Sequence, residues 1–262
     1  MILFKKEFAI IAYNLSSKVI AMNHESNEVI QKVKDLCQDE RELEAEVLVK
    51  EQLTADPDNL ELMTKLGEIQ ARLCNDHDAE STFRAVLVRN PNHEDAVCGL
   101  GRLLDQALRT EEAELLYKEF IQNNPAGFCA LEDLCRILYS EERVDEAFEL
   151  ARDQVEHYGD NANAFEALRY LLEVEEDRLD SELDDDRENE TIFVELMDIL
   201  LQQIELVHRI ERIGVLTDDL RMELEDDRTR LVGDIAQLLK SAPGRKISVS
   251  EEINSRLARF KL

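Results

Sequence analysis

The sequence contains no tryptophan, and only 5% of its 262 residues are aromatic. Eight glycines and four prolines are too few to punctuate a many-stranded β fold, which needs turn residues at short intervals. Their scarcity leaves an all-α chain. No run of about 18 apolar residues occurs, so no transmembrane segment is expected. Residues 1–22 are apolar overall, but Lys5, Lys6 and Glu7 interrupt them and no cleavable signal core develops. The five cysteines (Cys37, Cys74, Cys98, Cys129 and Cys135) are odd in number and form no Cys-x-x-Cys pair. They read as buried free thiols of a cytoplasmic protein rather than a disulfide framework or zinc site. Positive charge is also short: 31 basic against 59 acidic residues give a net charge of −28. Nucleic acid and anionic membranes are therefore excluded as partners of the chain as a whole, and a basic or mixed-charge protein segment is favoured.

What is present is periodic. Pro57, Pro91 and Pro125 stand 34 residues apart, each preceded twelve residues earlier by an alanine, Ala45, Ala79 and Ala113. This register divides the chain into units 26–59, 60–93, 94–127 and 128–161, followed by a final opening helix over 162–175. A unit of this length suits one helix–turn–helix that cannot bury its own apolar face and must stack on copies of itself. Leu66-Gly67, Leu100-Gly101 and Leu134-Cys135 place a small residue midway through each opening helix. Glycine there disfavours the helix by about 1 kcal/mol, so close packing is its expected reason. Ala45, Ala79, Ala113 and Ala147 are small where paired helices cross, with Val49, Phe83, Tyr117 and Ala151 one turn later. The prolines end each second helix, and Asp58, Asn59 and Asn92 are placed to cap the next. Gly159 replaces proline in the fourth unit and is expected to end its helix in a left-handed conformation.

These residues resemble the pattern of the tetratricopeptide repeat family over about residues 26–175. The resemblance implies an α-solenoid, a right-handed superhelix of helix pairs whose opening helices line a concave face. It places on that face Glu68 and Arg72, Cys98 and Arg102, Arg136 and Tyr139, and Tyr170, a set suited to docking a mixed-charge partner segment. Thr64, Glu68 and Gly99 stand where some family members hold the polar ligands of a chaperone's C-terminal carboxylate, which argues against that role.

Outside the repeats, residues 1–25 carry the stripe Phe4, Phe8, Ile11, Leu15 and Val19 of an amphipathic helix, expected to pack on the solenoid. Residues 176–190 read as an acidic linker, within a stretch from Glu173 to Glu190 that lacks the glycine and spacing of a calcium loop. From Ile192 the period becomes a heptad (Ile192, Leu196, Ile199, Gln203, Leu206, Ile210, Ile213). With Leu220, Leu224, Leu231, Ile235 and Leu238 this predicts an antiparallel helical hairpin over 191–241, with Thr217 opening its second arm and self-association as one use. The tail 242–262 is basic and carries a short helix, with Ser248 and Glu251 as a capping box. Its cations permit contact with the acidic body.

Catalytic constellations are missing. Glu205 and His208 have the Glu-x-x-His spacing of carboxylate-bridged metal helices, but a second such pair is absent. Asp153 and His157 are one turn apart, as in a surface pair. No metal or other cofactor is expected, and the chain reads as a non-catalytic adaptor or scaffold. The alternatives are a chaperone that shields an apolar segment, a structural subunit of a permanent assembly built through the hairpin, and, from another class, an enzyme using Glu205 and His208.

Overall fold

The computed structural model describes residues 28–186, 189–213, 216–241 and 251–260. The expected N-terminal helix over 1–25 and the Ser248 cap lie outside the described residues. Among the described residues the chain is helical throughout, with no strand. Helix α1 covers 28–38. It is followed by α2 (Glu42–Ala55), α3 (Leu60–Arg72), α4 (Asp76–Arg89), α5 (Glu94–Gln106), α6 (Thr110–Asn123), α7 (Phe128–Ser140) and α8 (Val144–His157). A 3-10 turn (Ala162–Phe165) leads into α9 (Glu166–Asp185), then α10 (Glu190–Ile210), α11 (Asp218–Ser241) and α12 (Glu251–Phe260). Opening helices start at Leu60, Glu94 and Phe128, and their partners at Glu42, Asp76, Thr110 and Val144, both series stepping by 34 residues. These are tetratricopeptide-like helix pairs. The chain divides into two compact units, Met1–Leu116 and Tyr117–Leu262.

In the first unit, Ala45 and Val49 are fully buried in a core with Ile30, Val33, Leu36, Leu62 and Ile69. Ala79 and Phe83 hold the same places in the next pair. A Cβ on Gly67 would stand 2.7 Å from the Phe83 ring, and one on Gly99 2.5 Å from it, so both glycines admit that ring. Asn59 caps α3, its side-chain oxygen accepting from the Leu62 N–H at 3.1 Å. Asn92 does not cap α5. The N-cap is His93, and the Asn92 N–H instead donates to the Asn90 side chain.

The turns within pairs share one device. Glu40, Cys74, Leu108 and Glu142, again 34 residues apart, all have positive φ, between 57° and 61°. At all four the next N–H reaches back five residues (Arg41 to Leu36, Asn75 to Gln70, Arg109 to Leu104, Arg143 to Leu138), the Schellman closure that satisfies helix-end carbonyls. Arg41, Arg109 and Arg143 then each bond the glutamate three residues on, at the start of the second helix.

In the second unit, Tyr117, Leu134, Cys135, Ala147 and Ala151 are buried, and the Tyr117 hydroxyl donates to Asp133 at 3.2 Å. Gly159 is not left-handed, because no glycine among the described residues has positive φ. A Cβ there would meet the Val155 carbonyl oxygen at 2.7 Å, so close backbone approach is the reason for glycine. The stretch read as a linker is helix as far as Asp185, because Leu179 and Leu183 continue the buried stripe of Leu171 and Leu172. Helix α10 packs against α9, α11 and α12. Its heptad residues Leu196, Ile199, Leu206 and Ile210 are buried, as are Phe193, Met197, Leu200, Leu201 and Ile204. A helix apolar on most of its circumference needs such enclosure. The expected seam for self-association is thus covered inside the chain. Gln203, the polar member of the seam, donates to the Leu172 carbonyl and to Glu176, and accepts from Arg230. The predicted hairpin is α10 and α11, and Thr217 accepts from the Leu220 N–H at its turn.

Candidate functional site

Of the sequence-predicted contact residues in the first unit, Glu68 and Arg72 come together. They line a cleft of about 150 Å³ between α1 and α3 with Val33, Lys34, Lys65 and Ile69. The repeat geometry brings one face of each opening helix alongside the preceding one, which leaves a furrow between them. Buried Val33 and Ile69 make an apolar floor. Lys65 is held by Glu68 at 2.7 Å. Lys34 and Arg72 form no ion pair among the described residues and leave the rim cationic. Cys37 borders the same cleft, and burial pushes its thiol above the usual range. It is a poor nucleophile there. Lys34 escaped the sequence reading because the opening helix of the first unit lacks the repeat's Leu-Gly signature.

Helix α5 separates its two candidates. Arg102 is exposed, but Cys98 is buried at 2% exposure and offers no surface to a partner. A small side chain at that step of the helix falls inside the packed layer rather than on the outer face.

In the second unit, Arg136, Tyr139 and Tyr170 converge on the faces of α7 and α9. The Arg136 guanidinium lies 4.9 Å from the Tyr170 ring centroid and bonds Glu132 at 2.9 Å. Stacking of this kind holds the planar cation in place while leaving its edge donors available. The Tyr139 hydroxyl donates to Glu175 at 2.8 Å. Burial, reinforced by that carboxylate, pushes its pKa up to about 12. Glu175 is held below the usual carboxylate range, chiefly by its bond to Arg178. This surface is a prearranged mixed-charge patch with one aromatic-backed arginine.

The residues weighed for chemistry do not assemble a reactive site. Glu205 is bonded to Arg256 at 2.9 Å, and His208 Nδ1 lies 2.8 Å from the Ile204 carbonyl oxygen. His157 contacts the Asp153 carbonyl and carboxylate of its own helix. The cysteines are free; Cys98 and Cys135 are buried as expected, whereas Cys74 is exposed at a left-handed turn. Burial pushes the Cys135 thiol up to about 12. Among the described residues no helix is long and apolar enough to cross a membrane.

No protein-family model matches the chain, and no curated protein matches it. Solved structures are similar in fold at low identity. A tetratricopeptide repeat protein from Parabacteroides merdae is 16% identical, with 90% of this chain and 98% of that one covered at a TM-score of 0.45. PilW, a type IV pilus biogenesis factor, is 15% identical, with 88% and 98% covered at 0.46. A thermophilic tetratricopeptide protein of Thermus thermophilus is 14% identical, with 81% and 98% covered at 0.45.

Proposed function

We propose that this chain is a non-catalytic adaptor of the cytoplasm that docks a segment of another protein on the exposed faces of its opening helices. The observation that carries this reading is the α1–α3 cleft, with buried Val33 and Ile69 under a rim of Lys34, Lys65 and Arg72, in a chain of net charge −28. An apolar side chain flanked by a carboxylate fits such a cleft. The Arg136–Tyr170 patch offers a second contact for the same kind of mixed-charge segment. Five free thiols agree with a reducing compartment. The structural-subunit alternative loses its main support, because the apolar seam of α10 is covered within the chain.

The test begins with cross-linking mass spectrometry in the native cell to identify the partner. Calorimetric titration of the purified partner segment follows, against the wild type, Lys34→Glu with Arg72→Glu, and Arg136→Glu. Reversing the cleft's charge is expected to weaken binding by about tenfold or more, equivalent to about 1.4 kcal/mol. Arg136→Glu is expected to have a smaller effect in the same direction. Affinity unchanged by the Lys34/Arg72 variant, with helicity intact, would sink the reading.

A further inference from the structure

Helix α12 shows in cis what the acidic body accepts. It lies against α10 and buries only Ile253 and Leu257 among its described side chains. Arg256 stands between them in sequence and is 12% exposed. It donates to Asp198, and to Glu205 at 2.9 Å. Asp198, Gln202 and Glu205 follow one another at spacings of four and three, so they form one polar stripe on α10. Helix α10 also packs against α9 and α11, and its buried residues include Phe193 and Leu201. The fit of α12 is incomplete. An open cleft of about 550 Å³ remains between α8, α10 and α12, walled in part by Arg152, Gln202, Ser255 and Arg259. Arg152 and Arg259 form no ion pair among the described residues.

We propose that the Asp198–Glu205 stripe of α10 is a docking site for a basic amphipathic helix of a partner protein, and that α12 is its exchangeable in-chain occupant. The site lies outside the repeats and is independent of the cleft between α1 and α3. The recognition pattern is that of α12 itself, apolar-x-x-Arg-apolar, as in Ile253, Arg256 and Leu257. A longer helix with this face and a carboxylate able to reach Arg152 makes the contacts of α12 and also fills the cleft beside it. Charge complementarity favours such a partner, since the chain carries 59 acidic side chains and presents two of them here. The tether of α12 sets the competition. Because α12 belongs to the same chain, it competes at an effective concentration on the order of millimolar, so a free helix binds readily only when α12 is released or outmatched.

The experiment uses the full chain and a fluorescein-labelled peptide of residues 248–262, read by fluorescence anisotropy. Arg256→Glu releases α12 and is expected to raise the peptide's affinity by about tenfold or more over the wild type. Asp198→Arg with Glu205→Arg also releases α12, yet should bind no peptide. It should bind instead a peptide carrying Glu in place of Arg256. Equal affinity of the wild type and Arg256→Glu, or peptide binding that survives the Asp198/Glu205 reversal, would overturn the proposal. A wild-type dimer that dissociates on that reversal would overturn the partner reading in favour of exchange between copies. Hydrogen exchange on the unmodified chain gives a check that needs no variant. Amides of α12 should exchange at least about tenfold faster than those of α10, and equal protection would refute an exchangeable occupant.

Discussion

The helix pairs up to His157 and the helices from α9 onward solve the same packing problem by opposite means. In the pairs, proximity is gained by leaving atoms out. Ala45, Ala79, Ala113 and Ala147 are wholly buried, and Gly67 and Gly99 admit the ring of Phe83. In the later part, long helices are filled with large side chains, and α10 alone buries Phe193, Met197 and a series of leucines and isoleucines. Polar groups differ as well. The pairs repeat short arginine–glutamate bonds at the starts of α2, α6 and α8. Helices α9 and α11 are clasped by Arg169, which is 14% exposed and reaches Glu166, Glu223 and Asp227, and by Arg230 on Glu176. A periodic design must reuse one small crossing, whereas an aperiodic one can spread burial over a long interface. The first is sensitive to added volume and the second to lost volume.

One substitution made in both regions tests this contrast. Gly67→Ala with Gly99→Ala closes on Phe83 from two sides, so the ring cannot yield toward either. Overpacking of this kind destabilises by about 1–3 kcal/mol per site, and the helix preference of alanine over glycine returns about 1 kcal/mol at each. A net loss of about 2 kcal/mol is expected in urea unfolding, with partial rescue by Phe83→Leu. Gly233 lies exposed in α11, with no atom within 4 Å of a Cβ built there. Gly233→Ala should therefore stabilise by about 0.5–1 kcal/mol. Loss of stability at both sites, or gain at both, would break the comparison.

Acid separates the regions less sharply but in a predictable direction. Glu80, Glu112 and Glu146 in the pairs are held below the usual carboxylate range by bonds to Arg84, Arg109 and Arg143 respectively. Their stabilising contribution is present above the unfolded value and is lost as pH falls through the folded one. Glu175 on α9 belongs with them. Glu166 and Glu173 on α9 are raised, chiefly by burial, so protonation favours their folded environment. Their contribution is fully present below the unfolded value and is lost as pH rises through the folded one. Between neutral pH and about pH 3, hydrogen exchange should therefore rise earlier in α4 and α6 than in the stretch of α9 around Glu166–Glu173. Simultaneous loss of protection would remove this distinction.

Where the design is periodic, the fold was legible in single residues. The 34-residue step placed the starts of the opening helices and the buried alanines, and gave close packing as the reason for Gly67, because each copy restates the same steric requirement. Residue type misled where geometry comes from the backbone. Gly159 was expected to be left-handed and is not, whereas Glu40, Cys74, Leu108 and Glu142 are left-handed without being glycine or asparagine. In α9 the acidic side chains masked Leu179 and Leu183, which extend the helix beyond its expected end at 175. The site was half legible. Glu68 and Arg72 followed from their place in the unit, while Lys34 stands in a unit without the signature. The pairing of Arg256 with Asp198 and Glu205 spans more than fifty residues, and only net charge hinted at it.

The left-handed turns supply the smallest effect and the finest test of periodicity. A side chain at positive φ is disfavoured by about 1–2 kcal/mol because its Cβ crowds the neighbouring carbonyl. Leu108 is 91% exposed at φ 59°, so it has little packing to offset that strain. Leu108→Gly removes the strain but adds freedom to the unfolded chain, which returns about 0.4–1 kcal/mol. The net expectation is a stabilisation of about 0.5–1 kcal/mol, a rise of about 1–4 °C in Tm for a chain of this size. Glu40, Cys74 and Glu142 occupy the equivalent turns of the other pairs, so glycine at each should add an increment of similar sign. A fall in Tm for Leu108→Gly would mean that the leucine itself holds the turn, and that the closure between Arg109 and Leu104 is not sufficient to set its conformation.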